Sequence, residues 1–138
     1  MALAPMPGRG GHYADDLAQI LAWQPGLVIS MVETAELFGP LGADLQGAGV
    51  DWCQVPVVDY GVPEPAHLWD VTAQKSHAVL AQGGKVLVHC MGGCGRSGMA
   101  VLQHMITLGE RPDEALERLR SHRPCAVETK AQLAWAQL

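Results

Sequence analysis

Residues 27–32, Leu-Val-Ile-Ser-Met-Val, form a short, nearly continuous apolar run after Pro25-Gly26. A run of that length, rich in branched side chains and bounded by turn formers, predicts a buried strand. Gly47-Ala48-Gly49 marks a break, and residues 52–58 predict a second strand. It ends in Asp59-Tyr60-Gly61-Val62-Pro63, a loop by its Gly and Pro content. A helix is predicted over 66–82, with Pro65 at its start and Gly83-Gly84 closing it. Val86-Leu87-Val88-His89 predicts a third strand, continuously apolar as a central parallel strand should be. A Gly-rich turn then leads into a strongly apolar helix through 99–108, ended by Gly109. Pro112 opens a helix over 113–121, acidic at its start and carrying Arg118 and Arg120 at its end, as the helix dipole favours. The last helix starts near Thr129. Strands alternating with helices across short connections predict an α/β fold, a small, mainly parallel sheet flanked by helices.

Composition narrows this picture. The 138 residues suit a single domain over 1–138, and the 49% hydrophobic content is enough for a core. With one Phe and two Tyr, that core must be built from Leu, Val, Ala and Ile with four Trp. A formal charge of −5 argues against a nucleic-acid binder. It leaves an anionic substrate open, because a pocket's field is set by a few local donors. No stretch has the length of apolar residues a membrane span needs, and residues 1–11 do not resemble a secretory signal. Cys53, Cys90, Cys94 and Cys125 are therefore expected to be thiols in a reducing cytoplasm.

The segment His89-Cys90-Met91-Gly92-Gly93-Cys94-Gly95-Arg96-Ser97 carries the chemistry. Cys90 and Arg96 have five residues between them, three of them Gly, at a predicted strand-to-helix junction. So short a loop aims successive N–H groups at one point, and the helix N-terminus adds partial positive charge there. Gly92, Gly93 and Gly95 permit close backbone approach. Arg96 closes the loop with a planar fork that matches two phosphate oxygens. Met91, Gly92, Gly93, Cys94, Gly95 and Arg96 are the expected phosphate-binding set, able to hold phosphate, sulfate or vanadate. Fields of this kind favour thiolates, which makes Cys90 the expected nucleophile.

His89-Cys90-x5-Arg96-Ser97 resembles the signature of the protein tyrosine and dual-specificity phosphatases. The tail, Arg111 to Leu116, Leu119-Arg120 and Ala126 to Gln132, is similar to the compact kinase-associated phosphatases. The likeness runs from about residue 27 to the C-terminus. It implies two-step hydrolysis through a phosphocysteine, with no metal or other cofactor. It also implies a general acid on a loop before the signature, a place that Asp59 fills with Pro63 nearby. Parallel strand ends put that loop at the same sheet edge as the cradle. Asp44, Asp51 and Asp70 are weaker candidates. Ser97 is expected to donate its hydroxyl to the Cys90 sulfur, and His89 to orient the loop. Gln132 matches a position that can place the attacking water, but Thr129-x-x-Gln132 is equally a helix capping box. Arg9 and Arg123 are candidates for substrate contact, the preferred reading of each being a solvated surface residue.

Cys53 or Cys94 is a candidate to trap oxidised Cys90 as a disulfide, the other reading being that both are small buried hydrophobes. The substrate class stays open at this point. A phosphoprotein or phosphopeptide comes first, and a lipid or small-molecule phosphate such as a phosphoinositide or nucleotide second. A non-catalytic phosphopeptide-binding module and a rhodanese-like sulfurtransferase are the remaining alternatives. The neutral cradle residues weigh against a lipid. The limited material for cleft walls favours a shallow pocket open to phosphoserine, phosphothreonine and phosphotyrosine.

Overall fold

The computed structural model describes all 138 residues. Four strands form one wholly parallel sheet: β1 (Ala2–Ala4), β2 (Leu27–Ser30), β3 (Asp51–Gln54) and β4 (Val86–His89). Their order is β1-β4-β2-β3, so the two continuously apolar strands lie at the centre. Six helices cover the sheet: α1 (Tyr13–Trp23), α2 (Leu41–Gly47), α3 (His67–Ala81), α4 (Gly95–Thr107), α5 (Pro112–His122) and α6 (Lys130–Ala136). The α/β architecture is the one the alternating pattern predicts.

Strand periodicity sorts the core into two layers. Val28 and Leu87 face one way, into a cluster with Leu41, Leu45 and Val50 that α1 covers with Leu17, Ile20 and Leu21. Leu27, Ile29, Val86 and Val88 face the other way, into a larger cluster with Met99, Leu102, Ala115, Leu119 and Trp135. Burial on both faces is why β2 and β4 show no alternation of apolar and polar residues.

The predicted second strand extends too far. β3 stops at Gln54 because its only neighbour, β2, stops at Ser30. Val55 donates once more to the Ser30 carbonyl, and Val55 and Val57 then bury their side chains without a ladder. The hydrophobic pattern does not announce β1, α1 or α2. Ala2-Leu3-Ala4 is too short to announce a strand, and it is fixed by pairing with β4.

Two buried histidines sit in this scaffold. His104 on α4 shares a hydrogen bond with Ser76 on α3 and packs at a tilt against His77 and Trp69, with ring centroids 4.4 and 5.4 Å away. Burial and the neighbouring His77 push its pKa down from 6.5 to about 4. Burial pushes His89 down to about 4 as well. Both rings are neutral when folded and take up protons on unfolding between these limits. Their contribution to stability is complete above pH 6.5 and is lost as the pH falls toward 4. The slope is about 1.4 kcal/mol per pH unit for each ring. Urea denaturation at pH 7.5, 6.0 and 5.0 should show a falling midpoint, and His104→Gln should make that fall shallower. Equal midpoints at pH 7.5 and 5.0 would contradict this account.

Candidate active site

All four strands point the same way, so their C-terminal ends open onto one edge. The chain leaving β4 forms the loop from Cys90 to Cys94 and enters α4 at Gly95. The chain leaving β2 brings Glu36, on a 3₁₀ turn (Thr34–Glu36), and the chain leaving β3 brings Asp59. The chain leaving β1 lays residues 5–9 along the loop, where Met6 N–H donates to the Met91 carbonyl at 3.0 Å.

The loop is polarised. No backbone N–H from Met91 to Ser97 takes part in a backbone hydrogen bond, whereas every carbonyl from Cys90 to Cys94 has a donor. His89 serves the Cys90 carbonyl and Met6 that of Met91. Arg123 serves Gly92 and Gly93, and the N–H groups of Gly98 and Val127 serve Cys94. With the carbonyls engaged by the protein, the N–H groups and the α4 N-terminus are left free for a ligand, as an anion cradle requires. Gly93 has φ +69°, and a Cβ there would stand 2.6 Å from the Ala4 carbonyl carbon. Only glycine fits that crossing of loop and β1.

Cys90 is 3% exposed at the foot of the loop, its Sγ 3.2 Å from the Ser97 hydroxyl. Arg96, 2% exposed, is held from three sides. Its two terminal nitrogens donate to the Glu36 carboxylate at 2.8 and 2.9 Å, and one of them also donates to the Val57 carbonyl at 2.9 Å. Asp59 Oδ1 lies 3.3 Å from the other nitrogen. Burial is the largest influence and disfavours the guanidinium charge, but the Glu36 hydrogen bonds together with the negative charges of Glu36, Cys90 and Asp59 outweigh it and raise the Arg96 pKa. The same hydrogen bonds hold Glu36 below the usual carboxylate range. Asp59 itself is 64% exposed and accepts from the Tyr60 N–H.

His89 is fixed by a chain of hydrogen bonds. Trp52 Nε1–H donates to Ser30 Oγ at 2.8 Å, and Ser30 Oγ lies 2.6 Å from His89 Nε2. His89 Nδ1 stands 3.3 Å from the Cys90 carbonyl. An indole can only donate and a carbonyl only accept, so the neutral ring carries its proton on Nδ1 and accepts from Ser30.

The structure thus brings together Cys90, the loop residues Met91 to Gly95, Arg96, Ser97 and Asp59. The weaker acid candidates stand elsewhere: Asp44 accepts from the Tyr13 hydroxyl, Asp51 opens β3 and Asp70 lies on α3. Gln132 completes the capping box with Thr129, and its Nε2 donates to the Gly61 carbonyl, tying α6 to the Asp59 loop. Arg9 is exposed, with a terminal nitrogen 3.5 Å from where a Gly92 Cβ would be.

Three expectations are corrected. The cysteines are not all thiols, because Cys94 is disulfide-bonded to Cys125, their Cα atoms 5.2 Å apart. The α5–α6 connection folds back beside the loop and brings the two together. Cys94 is therefore no free resolving thiol. Cys53 is free, but β2 lies between its strand and β4. Two strand spacings, roughly 9–10 Å, exceed the Cα separation that a disulfide spans. Arg123 is no solvated surface residue, since its fork is spent on Gly92 and Gly93. Glu36 was missed altogether. Its one sequence signal is a carboxylate placed just after a strand, at the edge where the cradle forms.

The sequence matches the protein-tyrosine phosphatase family over residues 56–137, more than half the chain, and the chain belongs to that family. A relative from Danio rerio, protein tyrosine phosphatase domain-containing protein 1, is 32% identical over 87 residues. That match covers 62% of this chain and 12% of the relative, so the chain spans about an eighth of the relative's length. Among solved structures, Tk-PTP in its active form superposes with a TM-score of 0.81 at 30% identity, covering 97% of this chain and 88% of that one. Kinase-associated phosphatase, with its catalytic-site cysteine changed to serine, superposes at 0.82 and 21% identity, covering 91% and 74%. PTPMT1 in complex with PI(5)P superposes at 0.80 and 24% identity, covering 99% and 88%. The last two are likenesses of fold.

Two substitutions test the geometry. Gly93→Ala should abolish vanadate binding in calorimetry while circular dichroism stays native, and unchanged affinity would refute the crossing constraint. Glu36→Gln leaves Arg96 without its charged partner and should weaken vanadate binding roughly tenfold or more, with a lower Tm. An unaltered affinity would show that Val57 and Asp59 suffice to hold the guanidinium.

Proposed function

We propose that this chain is a cysteine-dependent phosphomonoester hydrolase that acts on phosphoproteins through a phosphocysteine intermediate. The observation that carries the reading is the joint placement of the Cys90 sulfur and the Arg96 guanidinium at the two ends of one polarised loop, with Asp59 beside the guanidinium.

In the first step the Cys90 thiolate attacks phosphorus and the ester P–O bond breaks. The Asp59 carboxylic acid protonates the leaving oxygen, which would otherwise depart as an alkoxide. The loop N–H groups and the Arg96 fork bind the three equatorial oxygens, where charge is spread in the transition state. In the second step water attacks phosphorus, giving its proton to the Asp59 carboxylate. The P–S bond breaks, and the Ser97 hydroxyl donates to the departing sulfur from its place 3.2 Å away. The products are the dephosphorylated alcohol or phenol and inorganic phosphate. His89, neutral and fixed at both ring nitrogens, holds the loop and moves no proton.

The mouth of the site supports a protein substrate of broad side-chain range. Asp59 and Tyr60, 64% and 61% exposed, stand at its rim on a short loop. Met91, the three loop glycines and disulfide-bonded Cys94 put no charge beside Arg96. The likeness to PTPMT1 with PI(5)P keeps a phosphoinositide as the competing substrate.

Purified protein should hydrolyse para-nitrophenyl phosphate at an unchanged rate after chelation of metals. Cys90→Ser should reduce turnover to background. Asp59→Asn should cost roughly 10²-fold on phosphoserine peptides, and less on para-nitrophenyl phosphate, whose leaving group needs little protonation. Inert wild type that still binds vanadate would replace the enzyme by a binding module. Turnover of phosphoinositide vesicles far above that of phosphopeptides would overturn the protein-substrate reading alone.

A further inference from the structure

The carbonyl side of the loop holds a feature that the reaction above does not use. Gly92 and Gly93 are adjacent peptides with no side chain to fix their orientation. If their carbonyls rotated inward, oxygen lone pairs would face the anion where N–H groups should be. Arg123 prevents that rotation: its Nε–H donates to the Gly93 carbonyl at 2.9 Å and its terminal N–H to the Gly92 carbonyl at 2.8 Å. The fork's fixed geometry suits two neighbouring acceptors as a point charge cannot.

Arg123 is anchored in turn by the connection on which it lies. Arg120 donates to the Ala126 and Val127 carbonyls at 3.0 and 2.9 Å. Val127 N–H reaches the Cys94 carbonyl at 3.3 Å, and Cys125 is disulfide-bonded to Cys94. Gly98 allows the close approach, since a Cβ there would stand 2.8 Å from the Val127 nitrogen. We propose that Arg123 is a positioning residue of the phosphate loop, and that with the Cys94–Cys125 disulfide it makes the α5–α6 connection a clamp that keeps the loop carbonyls facing outward. The proposal rests on the reading of this loop as the phosphate site. Cys125 is exposed, so a dithiol can reduce the tether. Two electrons pass to the protein disulfide, leaving two protein thiols and an oxidised reagent, and Cys90 is not involved.

The test follows alkylation of Cys90 by iodoacetate, scored on the Cys90 peptide by mass spectrometry, with and without inorganic phosphate as protectant. This readout needs no turnover. Arg123→Met should raise the phosphate concentration for half-protection roughly tenfold. Arg123→Lys, which keeps the charge but loses the fork, should recover only part of it. Arg120→Met, which loosens the connection but leaves the Arg123 fork in place, should lower Tm and weaken protection clearly less than Arg123→Met does. Reduction of the disulfide should weaken protection a few-fold, and Arg123→Met should then cost more than in the oxidised protein, because two restraints share one segment. Wild-type protection in Arg123→Met would overturn the proposal. So would full recovery in Arg123→Lys, which would make charge the whole effect, or an equal loss in Arg120→Met, which would make it general loosening. An equal cost of Arg123→Met with and without the disulfide would remove the tether from the clamp. Intact protection without hydrolysis of para-nitrophenyl phosphate would strike the proposed function and leave the clamp standing.

Discussion

A loop that turns its peptide N–H groups toward one point must turn its carbonyls the other way, and each carbonyl pressed into the protein needs a donor. That requirement organises the molecule. Five successive carbonyls, from Cys90 to Cys94, are met by groups from His89, Met6, Arg123, Gly98 and Val127. These donors come from β4, the segment after β1, α4 and the α5–α6 connection. The edge strand β1 and the C-terminal helices, remote from Cys90 in sequence, are the supports that let a glycine-rich turn keep one orientation.

The division between what the chain's pattern reveals and what it hides follows from the same accounting. The placement of Cys90, Arg96 and Ser97 was legible because it is set by spacing inside one strand–turn–helix unit. Asp59 was legible at one remove, since parallel strands place the ends of β3 and β4 on one edge. Glu36 and Arg123 were not, because each acts on a partner far along the chain: Glu36 on Arg96, and Arg123 on Gly92 and Gly93. A carboxylate after a strand or an arginine before a proline gives no hint of what it will touch. The Cys94–Cys125 pairing was hidden in the same way, being made by the fold-back of the α5–α6 connection. Local periodicity also failed for β1, whose three residues are held in place by β4.

The electrostatics of the site show why net charge was a poor guide. The chain carries −5, and two carboxylates, Glu36 and Asp59, stand against the one buried guanidinium. Counted as formal charges, the surroundings of Arg96 are not positive. What attracts a phosphate is the direction of dipoles. The N–H groups of the loop and the first turn of α4 are free of backbone partners, and the two carboxylates are engaged by the guanidinium, Asp59 from an exposed position at the rim. Glu36 then has two effects of opposite sign. It cancels part of the Arg96 charge at a distance, and it fixes the plane of the fork with two hydrogen bonds. For a ligand that meets two nitrogens at once, the fixed plane matters more, since a bidentate contact is lost by rotation long before it is lost by screening. An acidic protein can therefore hold a dianion in a site that contains acids, provided its donors cannot turn away.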